Sequence, residues 1–268
     1  MNRQVRQIAV QLGFLALWEW VTRVGIIDPF FVSSPSQVVL TLISLFSGRE
    51  IWSHIFTSFT EALLGLVSGF FVGAILGFVA ALTPTIAEQL NPFMTLLNAT
   101  PRVILAPLFV VWFGIGIESK IVLSFSLVVV LMFFAVYNGV KDVDTRLIER
   151  VKTLGGDRRV LLQEVYIPSI TAWVMGNLKI ALGFAFTGAV VGEFVASKGG
   201  LGYLLSFAQT TYNASLMVAI ILLIQIFVLL LTTFAEKLER RLLSWKYRTQ
   251  PSPRTKLPTA VRTAEITS

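Results

Sequence analysis

Four ionisable residues stand inside stretches that are otherwise almost wholly apolar: Glu61, Arg102, Lys179 and Glu193. A single charge removed from water is costly unless it faces a partner, a wet path or a bound solute, so each is a candidate to meet whatever passes through or binds. Arg102 directly follows Pro101, where a broken helix would free backbone groups to line a cavity rather than lipid. Lys179 lies about 11 residues, or roughly 16 Å of helix, beyond Pro168, deep enough to need a partner. Glu61 and Glu193 sit near the outer ends of their apolar runs, where boundary solvation explains them as readily as function does. Other chemistry is excluded. With no cysteine there is no disulfide framework, thiolate metal site or thiol nucleophile, and the one histidine, His54, cannot build a multi-histidine metal centre.

The elements that hold these residues follow from composition. The chain of 268 residues is 55% hydrophobic and 14% charged, against about 45–50% and about 25% in a soluble domain, so lipid is the expected solvent. Gaps between charges then mark the spans. There are 26 uncharged residues between Glu61 and Glu88, 20 between Lys120 and Lys141, and 37 between Lys198 and Glu236. These predict transmembrane helices near 57–82, 120–140 and 214–236, each with the roughly 20 apolar residues a bilayer requires. The run 89–113 is punctuated by Pro92, Pro101 and Pro107 and reads as a kinked or discontinuous span. Segment 167–193 is a fifth. The stretch from Ile8 to Ile27, carrying Glu19 and Arg23, is the least apolar of six; Arg3 and Arg6 precede it as in a secretory signal, but no A-x-A site follows, so a retained helix is expected.

With both termini inside, 16 of the 22 Lys and Arg residues fall on the cytoplasmic side, which predicts an N-in, C-in topology. This bias and attraction to anionic lipid account for the net charge of +7 without nucleic acid. Gly65, Gly69, Gly73 and Gly77 recur every four residues, a groove against which a second helix backbone packs closely. Within 28–56, a Ser33-Ser34-Pro35 start and an apolar stripe of Val38, Val39, Leu42, Ile43 and Phe46 predict a short helix at the outer interface. The organisation is thus a cytoplasmic N-terminus over 1–7, one membrane domain over 8–245, and a polar, Pro-containing tail over 246–268 expected to be disordered in the cytoplasm.

The cytoplasmic loop 141–166 is out of character for a passive anchor. It is balanced in charge and reads as two short helices joined at Gly155-Gly156, with Leu147, Val151 and Leu154 at helical spacing. Such a stripe has to bury itself on the chain's own helix ends or in the groove of another protein. Glu149-Arg150-Val151, then Gly155, then Val165, Ile167 and Pro168, resemble the EAA motif of ATP-binding cassette importer permeases: E-A-A, three residues, G, nine residues, I-x-L-P. The chain departs from it at Arg150, Val151, Val165 and Ile167. The resemblance extends to PRVILAPLFVVWFGIG from Pro101, to ALGFAFTGAVVGEFVASKGGLGYL from Ala181 and to ERRL at 239–242. Those stretches resemble the branch that imports taurine, alkanesulfonates, nitrate and pyrimidine precursors.

That resemblance implies an all-α, type I (MetI-like) importer permease of about six transmembrane helices in the bacterial inner membrane. It also implies a second permease subunit, two cytoplasmic ATPase subunits that bind ATP and Mg, and an extracytoplasmic solute-binding protein. Coupling to the ATPase would fall to Glu149, Arg150, Val151, Leu154, Gly155, Gly156 and Pro168. The chain itself has no G-x-x-x-x-G-K-[ST] loop and no Gly-Lys dipeptide, so it is expected not to be an enzyme and to hold no cofactor or metal. Gly199, Gly200 and Gly202 read as a turn after the fifth span. Arg102 and Lys179 suit an anionic cargo; Glu61, with Phe109, Trp112 and Phe113, would tolerate a neutral heteroaromatic one. An ion-gradient carrier is the alternative, although no repeat relates the two halves. An intramembrane hydrolase is disfavoured, with no G-x-S-x-G and with His54 expected in an outer loop.

Overall fold

The computed structural model describes residues 3–27 and 31–242, and these form helices and short connections only. Helix α1 (Arg3–Arg23) starts inside the segment expected to precede the membrane, and α2 is Pro35–Ser47. Four later helices are long and apolar enough to cross a bilayer: α3 (Glu50–Leu82), α6 (Ile117–Lys141), α9 (Ile167–Val195, continuous with the loop that precedes it) and α11 (Ala214–Leu242). Between α3 and α6, α4 (Pro84–Ala99) and α5 (Ala106–Phe113) are joined by a 3-10 turn at Arg102–Leu105 and bent by 88°, a fifth span in two pieces. Pro101 causes the break, because it has no N–H to bond back and bars the preceding residue from helical backbone. The expected sixth span, α1, is a continuous 21-residue helix but is not apolar enough to stand with the other five.

The N-terminal charges are satisfied locally. Glu19 accepts from the backbone N–H and hydroxyl of Ser36, at 3.0 and 2.8 Å, and pairs with Arg23 at 2.6 Å, so α1 is pinned to the start of α2. Helix α2 begins at its Ser34 cap, as the Ser33-Ser34-Pro35 start predicts. Its apolar residues are divided: Val38 is buried and Leu42 packs with Ile51, Ile55 and Leu201, while Val39, Ile43 and Phe46 face outward.

The centre of the fold is the packing of α3 on α6 and of α6 on α9. The four-residue glycine repeat lies against α6: a Cβ at Gly69 would stand 2.8 Å from Val128 Cβ, and one at Gly73 or Gly77 would strike the carbonyls of Val129 and Phe133. On the opposite side, a Cβ at Gly188 of α9 would come within 2.6 Å of Ser124 Cα. Ser124 is fully buried and donates to the Ala185 carbonyl at 2.8 Å, so one small residue on α6 sits in contact with both neighbours. Val128, Met132, Ala181, Ala185 and Phe186 complete this core.

The loop 141–166 forms α7 (Thr145–Thr153) and α8 (Arg158–Leu161), as its patterning predicts. Asp144 caps α7 through Arg146 N, and Asp157 caps α8 through Arg159 N and Val160 N. Leu162–Tyr166 then widens into a π turn leading into α9. That turn lies where the ring of Pro168 would otherwise collide with the backbone one turn earlier. Helix α10 (Leu201–Thr210) follows α9 after the glycine turn and precedes α11. The tail expected to be disordered over 246–268 lies outside the described residues.

Candidate functional site

Two of the four intramembrane ionisable residues are brought together. Glu193, near the end of α9, is 1% exposed, and Glu61 on α3 is 2% exposed; their side chains are in hydrogen-bonding contact. Glu193 closes a clasp on the N-terminus of α10. Its Oε1 accepts from the Ser58 hydroxyl at 2.6 Å, and its Oε2 accepts from the Gly202 N–H at 2.7 Å. Ser58 in turn accepts the Leu201 N–H at 2.8 Å. A carboxyl group at a helix N-terminus meets unpaired N–H groups and the positive end of the helix dipole, which is why it is tolerated so deeply. The turn that makes this approach feasible depends on Gly200, at φ 104°, where a Cβ would meet the Glu193 carboxyl group. Boundary solvation therefore does not account for Glu61 or Glu193: both are enclosed by protein.

Two participants were not foreseen. Lys120, expected at an outer boundary, is fully buried one turn into α6. Its ammonium donates to the carbonyls of Ile115 and Gly116, at 2.6 and 2.8 Å, and lies within electrostatic reach of Glu61 and Glu193. The signal available was Gly192: a Cβ there would come within 2.9 Å of the Lys120 side chain, so the small residue makes room for the lysine stem. His54, expected in an outer loop, belongs to the second turn of α3, which starts seven residues before the predicted boundary. Its Nδ1 accepts the Gly200 N–H at 3.0 Å and its ring stacks on Tyr203.

Arg102 and Lys179 stand apart from that cluster. Arg102, 8% exposed, reaches from the bend to α6, donating to the carbonyls of Ser126 and Leu127 at 3.1 Å and to Asn98 Oδ1 at 3.4 Å. Its charge is thus met by carbonyl dipoles and not by a carboxylate. Lys179 is half exposed and 3.8 Å from Glu236 on α11, a loose pair. Of the aromatic residues, Phe109 is buried with Ala106 and Leu123, whereas Trp112 and Phe113 point outward.

On the opposite end of the molecule, α7 has no buried residue, and Leu154 at its end is 87% exposed. Leu147 and Leu154 are therefore left uncovered, while Val151 is half-buried beside the Gly156 turn. Gly155 carries φ 81° with open space around it, while a Cβ at Gly156 would come within 2.9 Å of the Val151 carbonyl. Beneath the loop an open cavity of about 690 Å³ is bordered by Asp142, Asp144, Glu164, Pro168 and Trp173.

Residues 69–244 match the family described as binding-protein-dependent transport system inner membrane component, a stretch that includes the bent span, the loop with α7 and α8, and the Glu193 and α10 side of the clasp. The chain belongs to this family. It is a multi-pass permease of the inner membrane, a subunit of an ATP-binding cassette importer that works with an ATPase and a binding protein. It is 30% identical over 249 residues to the taurine transport system permease protein TauC of Escherichia coli K12, covering 90% of each chain. It is 29% identical over 253 residues to the formylaminopyrimidine transport permease protein ThiX of Halalkalibacterium halodurans, covering 92% of this chain and 99% of that one. A solved structure of the inward-facing MetNI methionine ABC transporter superposes with a TM-score of 0.58 at 22% identity, over 72% of this permease and 94% of that chain, which establishes the MetI-like fold.

Proposed function

We propose that this permease forms the path for a small sulfonate, nitrate or pyrimidine-like solute delivered by the binding protein. A separate ATPase would drive it by seizing the loop around Glu149, Arg150, Val151, Leu154, Gly155 and Gly156, with Pro168 fixing where the loop enters α9. The observation that carries the coupling reading is the exposed apolar stripe of α7: Leu154 is 87% exposed at the end of a rigidly capped short helix. A leucine so displayed, beside Glu149 and Arg150, fits the groove of a partner better than it fits water. ATP and Mg belong on that partner in this reading. A second permease subunit, the same chain or a different one, faces this one, and both termini lie in the cytoplasm, on the side where Lys and Arg concentrate.

Support for the cargo class comes from relatives named for taurine and formylaminopyrimidine. Arg102 is the pathway residue of choice for an anion, because no carboxylate among its hydrogen-bond partners neutralises it. Glu61 and Glu193 bound the outer end, and Lys179 the opposite one. The test is to tag this subunit alone, co-express it with the ATPase and binding protein encoded beside it, and purify through the tag. The expected result is a stoichiometric ATPase stimulated by the loaded binding protein. A transporter recovered without an ATPase and driven by an ion gradient would overturn the reading.

A further inference from the structure

The clasp at the outer end contains one more carboxyl group than its visible donors satisfy. Glu193 accepts from Ser58 and Gly202, one donor on each oxygen, and has lone pairs left for a third. The Glu61 carboxyl group is in contact with Glu193, and its buried Oε2 has no hydrogen-bond partner among the described residues. The charged and titratable groups around it are few. Glu193 faces it from α9 and Lys120 from α6, with Glu118 behind Lys120; His54 lies two turns away on α3 and is occupied by Gly200 N–H and the Tyr203 ring. Lys120 directs its ammonium at the Ile115 and Gly116 carbonyls. Two carboxylates in contact, away from water, repel one another strongly, and one nearby ammonium offsets one negative charge. A proton between them removes the second charge and gives the orphaned oxygen its partner.

We propose that Glu61 and Glu193 hold a single proton between them, with Glu61 as the donor, and that this acid–carboxylate pair pins α10 to α3 and α9. The proton is a structural component of the outer end of the permease. Gly202 N–H, Ser58 O–H and Glu61 O–H all converge on one carboxylate, whose charge Lys120 compensates. Loss of the proton to the external water would leave two carboxylates against one ammonium and release α10 from its clasp. Removal of this proton opens the clasp, so the pair's contribution to stability diminishes as the pH rises.

The experiment uses the full-length permease assembled with its partner subunits, and neither readout depends on the cargo. Infrared spectroscopy at neutral pH should show a protonated-carboxyl C=O band that vanishes in E61Q. Thermal unfolding measured against pH should show the wild-type midpoint falling on the alkaline side more steeply than that of E61Q, in which an amide takes the place of the acid. Hydrogen exchange at Leu201 and Gly202 at one neutral pH should remain slow in E61Q and become fast in E193A, which has no oxygen to accept the Gly202 N–H. Absence of the band in the wild type, its persistence in E61Q, or equal alkaline loss in both proteins would overturn the proposal. Should E61Q fail to assemble, disappearance of the wild-type band with rising pH decides the matter: a pair without a proton has no band to lose.

Discussion

The two ends of this permease solve opposite problems with similar residues. At the end where α10 is clasped, Glu61, Lys120 and Glu193 are ionisable residues enclosed by the chain itself, and the hydrogen bonds of Lys120 and Glu193 are made to Ser58, Gly202 and main-chain carbonyls. At the end that carries α7, Leu147 and Leu154 are apolar residues left uncovered on a capped helix. One end has internalised what water would normally solvate, and the other displays what a core would normally bury. The first arrangement is enclosed within one chain. The second is half of an interface, and its energy is realised only when a partner arrives.

This contrast makes graded predictions. The largest effect is expected for Glu193→Ala, which strips the clasp of the acceptor for Ser58 and Gly202. Removing one member of a buried charged network destabilises by on the order of 3–5 kcal/mol, read as a lowered unfolding midpoint of the purified complex. Next comes Leu154→Asp. It should leave the unfolding midpoint of the permease unchanged while weakening ATPase capture by about 2 kcal/mol or more, the scale of an interface hot spot, measured by co-purification or titration. A parallel fall in stability would mean that Leu154 is packed within the chain and would dissolve the contrast. Gly155→Ala should cost about 1–2 kcal/mol through left-handed backbone alone, since nothing stands in the way of its methyl group. Gly156→Val, which meets Val151, should deform the turn itself and uncouple hydrolysis from uptake. The smallest effect is reserved for Lys179→Gln. A half-exposed pair at 3.8 Å is worth at most about 1 kcal/mol, so its unfolding midpoint should barely move.

Arg102 sharpens the comparison from a third direction, being buried like the clasp yet lacking a carboxylate partner. Arg102→Ala should impair uptake by more than its loss of stability accounts for, measured as transport rate against unfolding midpoint on the same preparation. Equal losses would assign Arg102 to bracing the bend on α6.

Much of this was legible in the residues. Charge-free intervals located α3, α6 and α11, because excluding charge from lipid is a local, one-dimensional constraint. The break at Pro101, the Ser34 cap and the hinge at Gly155-Gly156 follow from backbone chemistry that each residue carries wherever it stands. The glycine repeat announced a close helix contact, although not that α6 would fill it. What sequence reasoning misjudged were boundaries and partners. Lys120 and His54 mark the edge of a span when read by charge alone, yet α3 and α6 extend past both, and the neighbouring helices bury Lys120.

Sequence alone determined that the chain lives in a membrane, where its helices turn and break, and which loop carries an apolar stripe. Only the tertiary structure decided which charges meet. Ser58 and Glu193 are separated by 135 residues, and His54 and Gly200 by 146, so no periodicity or motif joins them. The packing of α3, α6 and α9 through their small residues brings them within hydrogen-bonding distance. The physical reason is that lipid acts on each residue in turn, whereas the satisfaction of a buried charge depends on what the rest of the fold places beside it.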